Sequence, residues 1–258
     1  MSTILFNQII FGPVKSRRLG TSLGVNLSPQ FGKWCSFDCL YCECGFNKDG
    51  RKDSKLPRIE EVKENLEAKL KEYTQNVGKI DTITFSGNGE PTMHPQFAEI
   101  IDLTLALRAK YTPEAKVSVL SNGSQTGKPK IANALLKVDN AILKIDSAFE
   151  ETTMLIDRPQ YDYSLDKLIE NLKPFKGRFV LQTMFLRGEF EGRIIDNTTE
   201  KEVVAWRKLT EVMQPREIMI YTIDRDTPAK NLRKVSVVQM QKIAAPLIEK
   251  GFKVTISG

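Results

Sequence analysis

Cysteine and histidine are scarce in this chain of 258 residues, which has four of the first and one of the second. The four cysteines all lie between Cys35 and Cys44, whereas a disulfide framework would spread them along the chain. That clustering excludes a disulfide-built secreted scaffold and fits a reducing, cytoplasmic setting. No apolar run approaches the roughly 20 residues that a membrane span needs. Met1 to Phe11 has no basic segment followed by an apolar core, so no signal peptide is expected. Charge is not lacking: the net balance is +6. A basic balance suits nucleic acid or an acidic protein partner, and equally suits a lysine-rich solvated surface.

What is present is concentrated in Cys35-Ser36-Phe37-Asp38-Cys39-Leu40-Tyr41-Cys42. Iron–sulfur clusters are held by thiolates grouped this tightly. Three thiolates on a four-iron cubane leave one iron open, and an open position marks a catalytic metal site. The vacancy suits a small chelator with an amine and a carboxylate. Two alternatives stand beside this reading. The cysteines can bind structural zinc, with Cys44 or His94 as fourth ligand, or they can be reduced thiols with no metal. Too few cysteines remain for a second cubane.

The rest of the chain alternates strands and helices. The stretch 11–20 has too many glycines, prolines and charges for a strand or helix interior. Strands are expected near 22–27, 82–85, 117–120, 141–145, 179–186 and 217–222, with a last one at 252–256. Helices are expected at 59–70, 97–108, 130–137, 164–172, 199–213 and 236–250. Ser164 and either Thr198 or Thr199 are expected as caps. Residues 48–55 read as a mobile loop. Six βα units are too few for a closed eight-strand barrel. The fold expected is therefore α/β, an open, partial (βα)6 barrel of parallel strands, with residues 1–258 as one domain.

In such a fold, function gathers at the carboxyl ends of strands. The strand 82–85 runs into Ser86-Gly87-Asn88-Gly89-Glu90-Pro91, where glycines let backbone approach a ligand closely. Glu90 is an acceptor-only group, for which an amine is the natural partner. Ser121, Asn122, Lys144, Asp146, Ser147, Gln182, Met184 and Tyr221 also sit at strand ends. Arg187, Arg193 and Arg225 can meet phosphate or carboxylate. His94, following a proline turn, reads as a surface residue.

The C-x3-C-x2-C run, with Tyr41 before its last cysteine, resembles the signature of the radical S-adenosylmethionine (SAM) enzymes. The segment Gly87-Asn88-Gly89-Glu90-Pro91 resembles that superfamily's Gly-Gly-Glu-Pro motif, with Asn88 in place of one glycine. The resemblance implies a [4Fe–4S] cluster on Cys35, Cys39 and Cys42, with SAM chelating the open iron. It implies that Tyr41 lies by the adenine and that the Glu90 strand end receives the methionyl amine. It implies that Asn122, Asp146 and Ser147 serve the ribose hydroxyls and the carboxylate. For Asp146 the plain alternatives are a helix N-cap or a surface carboxylate. A flavodoxin- or ferredoxin-type electron donor follows from the same likeness.

The lead-in Gly12-Pro13-Val14-Lys15-Ser16-Arg17-Arg18-Leu19-Gly20 resembles a branch grouped with the wyosine-type tRNA-modifying enzymes. Arg17 and Arg18 are placed there either to contact an anion or to order the segment. The implied activity is an oxidoreductase or transferase that makes a 5′-deoxyadenosyl radical. Its substrate is a tRNA base, a protein as for glycyl-radical activases, or a small molecule. A non-catalytic alternative is a closed four-cysteine metal module that contacts RNA, with Cys44 as the fourth ligand.

Overall fold

The computed structural model describes residues 4–16, 18–49, 53–76 and 78–258. Arg17, and residues 50–52 of the loop expected at 48–55, lie outside these. The chain forms two compact units, one built from Leu5–Cys35 and Asn47–Ala141, the other from Ser36–Phe46 and Ile142–Gly258.

The first unit holds β1 (Ile10–Ser16), β2 (Gly20–Val25), α1 (Ile59–Asn76), β3 (Thr82–Phe85), α2 (Phe97–Tyr111), β4 (Lys116–Ser121) and α3 (Pro129–Lys137). β2, β3 and β4 are parallel, with Leu23 opposite Ile83 and Ile83 opposite Val117. One face of this ladder is apolar and fully buried at Leu23, Val25, Ile83, Phe85, Val117 and Val119. Phe85 meets Phe97 of α2 edge-on, with ring centres 6.2 Å apart. The other face carries small hydroxyls. Ser22 Oγ donates to Thr84 Oγ1 at 2.8 Å, and Thr82 Oγ1 and Ser118 Oγ lie 2.9 Å apart. The period-two pattern of the sequence therefore sorts two dry faces, each satisfied in its own way.

β5 (Asn140–Lys144) starts at the boundary of the units. The second unit continues with α4 (Glu150–Ile156), α5 (Leu165–Leu172), β6 (Phe179–Met184), β7 (Leu186–Phe190), β8 (Arg193–Asp196), α6 (Glu200–Met213), β9 (Glu217–Tyr221), β10 (Leu232–Lys234), α7 (Val237–Glu249) and β11 (Val254–Ser257). β6 and β11 flank β9 in parallel. In hydrogen-bonding order the main sheet reads β1-β2-β3-β4-β5-β6-β9-β11, and β10-β7-β8 form a second sheet. The class is the expected one, α/β with an open, mostly parallel sheet of partial-barrel topology. Among the described residues no helix is long and apolar enough to cross a membrane.

The expected caps form. Ser164 and Thr199 accept from the backbone N–H of Lys167 and Glu202, both at 3.3 Å, and Ser236, which was not read as a cap, accepts from that of Gln239 at 3.2 Å. Two expectations need correction. Residues 10–16 are a strand, antiparallel to β2, with its pairing irregular between Phe11 and Val14. An edge strand tolerates Pro13 at such an irregularity, because the missing N–H faces no partner. The strand expected at 179–186 stops at Met184. Asn197 divides it, donating to the Met184 carbonyl at 2.7 Å and accepting from Leu186 N at 2.9 Å. The chain then turns into β7, and the small sheet and α4 complete what periodicity left unread.

Trp206 is the largest fully buried side chain. It packs edge-on against Phe185 at 5.2 Å and donates from Nε1 to Thr183 Oγ1 at 3.0 Å. Thr183 in turn donates to the Ile145 carbonyl at 2.7 Å. Trp206→Ala is expected to cost about 3–5 kcal/mol, from lost burial plus the cavity left behind. Urea unfolding followed by circular dichroism checks this, and a loss below about 1 kcal/mol would refute the packing role.

Candidate functional site

The sequence-derived site residues divide between the two units. Cys35, Gly87, Asn88, Gly89, Glu90 and Asn122 belong to the first; Cys39, Tyr41, Cys42, Asp146 and Ser147 belong to the second.

In the first unit the turn after β3 is fastened to the segment 26–34. The Asn88 side chain, fully buried, accepts from Phe6 N at 2.8 Å and donates to the carbonyls of Phe6 and Pro29, both at 2.9 Å. Its own N–H donates to Asn26 Oδ1 at 3.1 Å. Trp34 and Gly89 form a parallel bridge. A Cβ on Gly89 would overlap the Trp34 carbonyl, and one on Gly87, which has φ +127°, would lie 2.5 Å from Asn26 Oδ1. Both glycines thus admit neighbouring chain. Asparagine at 88 has a purpose of its own, because three chain segments meet on its amide.

Glu90 is 4% exposed. One carboxylate oxygen accepts from Thr92 N at 3.1 Å and Thr92 Oγ1 at 2.5 Å, and the other accepts from Asn122 N at 2.7 Å. Burial pushes its carboxyl up, against the opposing pull of those hydrogen bonds. Glu90 therefore ties the end of β3 to the end of β4. Asn122 then directs its side-chain N–H at Cys35 Sγ, 3.7 Å away.

The second unit carries a buried charge cluster. The Lys144 ammonium forms ion pairs with Asp157 and, at 3.2 Å, with Asp146. It also donates toward Cys39 Sγ at 3.5 Å. It lies 4.9 Å from the centre of the Phe37 ring and 5.3 Å from that of Tyr41. The Tyr41 hydroxyl donates to Asp146 and reaches Asp157 at 3.3 Å. The other Asp146 oxygen accepts from Met184 N at 2.8 Å. Burial alone would lower the Lys144 ammonium, but the carboxylates of Asp146 and Asp157 outweigh it and hold it well above its ordinary value. Burial, then the Asp146 and Asp157 carboxylates, raise the Tyr41 hydroxyl well above its usual range. Burial and the Asp146 carboxylate push Asp157 up to about 7, against Lys144.

The cysteine loop is held on this cluster by backbone. Asp38 N donates to the carbonyls of Asp157 and Arg158, Leu40 N to that of Ile156, and Gln160 N to that of Ser36. The thiols of Cys35 and Cys39 thus each face an N–H group, the surrounding that iron–sulfur thiolates take. In that respect the residues fit such a cluster. Among the described residues no three His, Cys, Asp or Glu side chains converge as a single metal ion would require. A cubane spreads its thiolates over several irons and sets no such demand.

Ser147 donates to the buried Glu202 at 2.7 Å and caps Phe149 N at 2.9 Å. Arg187 pairs with Asp196 at 3.2 Å, and Arg225 with Glu43 at 2.6 Å. Arg193 starts β8 and is exposed. Gln182 is buried, and its Nε2 has no hydrogen-bond partner among the described residues. His94 corrects the expectation of a surface histidine, being only 4% exposed. Its Nδ1 accepts from Gln96 N at 3.1 Å, so Nε2 carries the proton and donates to the Pro57 carbonyl at 2.9 Å. Burial lowers its pKa, which suits a neutral ring holding two segments together.

Asp157, Arg158, Asn197 and Glu202 were not legible as site residues. Asp157 and Arg158 follow α4, a helix that periodicity did not show. Asn197 and Glu202 act across 13 and 55 residues. An Arg-Pro pair directly after a short helix was the one available signal of a turn at 158.

The sequence profile of the Radical SAM superfamily matches residues 30–197. A protein named GTPase Obg, from Brachyspira hyodysenteriae, is 30% identical over 237 residues, covering 90% of this chain and 32% of that one. A UPF0026 protein of Methanocaldococcus jannaschii is 31% identical over 244 residues, covering 92% and 70% respectively. The chain thus spans about a third of the first relative's length. Among solved structures, a radical SAM methyltransferase from Sphaerobacter thermophilus superposes with a TM-score of 0.69 at 14% identity, covering 92% of this chain and 65% of that one. At that identity the likeness shows the fold.

Two measurements probe these residues, one in each unit. Gly89→Ala is expected to destabilise by about 1–3 kcal/mol or more, because the added methyl meets the Trp34 carbonyl; an unchanged urea midpoint would contradict this. Asp157, raised from 3.8 to about 7, holds a proton in the folded state that the unfolded chain lacks. Its stabilising contribution is present below pH ~4 and is lost as pH rises to about 7. Asp157→Asn should flatten the fall in stability across that window, and a parallel fall in both proteins would exclude the assignment.

Proposed function

Because the chain belongs to the radical SAM superfamily, we propose that it is an enzyme that cleaves SAM reductively at a [4Fe–4S] cluster held by Cys35, Cys39 and Cys42. When bound, cluster and SAM together supply a 5′-deoxyadenosyl radical that takes a hydrogen atom from the substrate. The observation that carries this reading is the C-x3-C-x2-C trio with N–H donors at two of its sulfurs, Asn122 on Cys35 and Lys144 on Cys39.

The roles of this chain's residues follow from their placement. Tyr41, locked by Asp146, offers an immobile ring for an adenine. Gly87, Asn88 and Gly89 shape the turn that presents Glu90, and they act through backbone. Glu90 binds and orients, its oxygens holding Asn122 while the buried charge favours an amine nearby. Asn122, Asp146 and Ser147 serve the ribose and carboxylate. Lys144 pairs with the Asp146 and Asp157 side chains beside Cys39 and holds both in place. Residues 1–258 work as one catalytic core, in the cytoplasm, with an electron from a flavodoxin- or ferredoxin-type donor. The reaction is an oxidation or a group transfer.

Anaerobic reconstitution with iron and sulfide is the test. It should yield a cluster signal in electron paramagnetic resonance (EPR) that shifts on adding SAM, and 5′-deoxyadenosine after reduction. Serine at Cys35, Cys39 or Cys42 should bring both to background, whereas Cys44→Ser should retain them. Loss of metal in Cys44→Ser, or a colourless protein indifferent to SAM, would end this reading in favour of a closed site.

A further inference from the structure

We propose that Arg158 is the receptor for an oxyanion of the substrate, a carboxylate or a phosphate, at the edge of the cysteine loop. The word substrate rests on the reading above; the receptor itself needs neither cluster nor SAM.

Arg158 follows α4 and its cap, Asp157, where the chain must reverse. Its backbone is left-handed, with φ +50°. Its N–H closes the helix on the Thr153 carbonyl at 3.3 Å. Glycine is the residue this position favours, since a side chain there is strained. A non-glycine residue kept in such a conformation points to a use for its side chain.

The left-handed turn sends consecutive side chains to different tasks. Asp157 goes to Lys144 and Tyr41. The Arg158 guanidinium goes to Phe46 and Phe190, whose ring centres lie 5.2 and 5.3 Å from its Cζ. Those two rings are themselves 6.1 Å apart. Contact with aromatic faces holds a guanidinium by charge–quadrupole attraction and leaves its N–H edges unspent. Among the described residues its ionic contact is Asp38, at 3.9 Å, beyond hydrogen-bond reach. Other arginines of this unit spend their donors: Arg187 on Asp196 and Thr198, Arg207 on two carbonyls of α7, Arg225 on Glu43. The Arg158 side chain is 34% exposed, so its edge is within reach of a ligand.

Its location supplies the functional argument. Residues 156–160 run against 36–40, through the four backbone bonds already described and an antiparallel bridge between Phe37 and Pro159. The guanidinium is therefore fixed to the loop that carries Cys39. A planar fork with paired N–H groups matches an oxyanion bidentately and fixes its orientation, which a lysine cannot do. Asp38 sets the limit: its nearby negative charge weakens binding of diffuse anions and favours a ligand that engages the fork directly.

The test is nuclear magnetic resonance of the whole protein labelled with 15N-arginine. The Nε–H signal of Arg158 is identified by its absence in Arg158→Lys. Inorganic phosphate and acetate are titrated separately, so that the two sources of oxyanion are told apart. The Arg158 signal should shift saturably at a concentration at least tenfold below that moving Arg187 or Arg225, and for one probe more strongly than for the other. Phe46→Ala and Phe190→Ala should each weaken that response. Arg158→Gly, which suits the left-handed turn, should keep the thermal midpoint and show no tight anion site. An Arg158 signal that moves no earlier than that of Arg225, for either probe, overturns the proposal. Failure of SAM cleavage with a responsive Arg158 would instead overturn the enzyme reading and, with it, the assignment of the anion to a substrate.

Discussion

The second unit depends on one buried ammonium between two carboxylates. Removing ions from water costs several kcal/mol each, and only close pairing with further hydrogen bonds offsets it. Lys144 meets that condition through Asp146 and Asp157, and the carboxylates meet it through Tyr41 and the Met184 amide. Such an arrangement contributes little net stability and much definition, since any displacement leaves a charge uncompensated. The same ammonium reaches Cys39, so the position of the thiol and the charge balance are one constraint.

The first unit solves a comparable problem without net charge. Asn88 and Asn26 stand where chain segments cross, and their amides satisfy backbone groups that neither helix nor ladder reaches. Glu90 is the ionisable member, and its carboxylate is held in place by Thr92 and the Asn122 amide. Binding residues held in this way lose little entropy when a ligand arrives, which is how preorganised sites gain affinity. The region around Arg158 follows the same logic with aromatic faces as supports.

How far the sequence was legible depended on the range of each signal. The cysteine trio, the turn at 87–91 and the caps at Ser164 and Thr199 are local, and each was recognisable within a few residues. β1 was missed because Gly12 and Pro13 oppose a strand locally, and only pairing with β2 overrides them. His94 was misplaced because burial depends on Pro57, which is 37 residues away. Tyr41 was read as an aromatic surface for a ligand, while its hydroxyl bond to Asp146 spans 105 residues.

Composition and spacing by themselves determined the α/β class, the open count of βα units and the grouping of thiols that suits an iron–sulfur cluster. Those properties arise from periodicity and short loops, which any neighbouring residues reveal. Tertiary structure alone decided which polar side chains are spent on holding the chain and which keep donors in reserve. Hydrogen-bond satisfaction is settled between segments far apart in sequence, and no local pattern carries it.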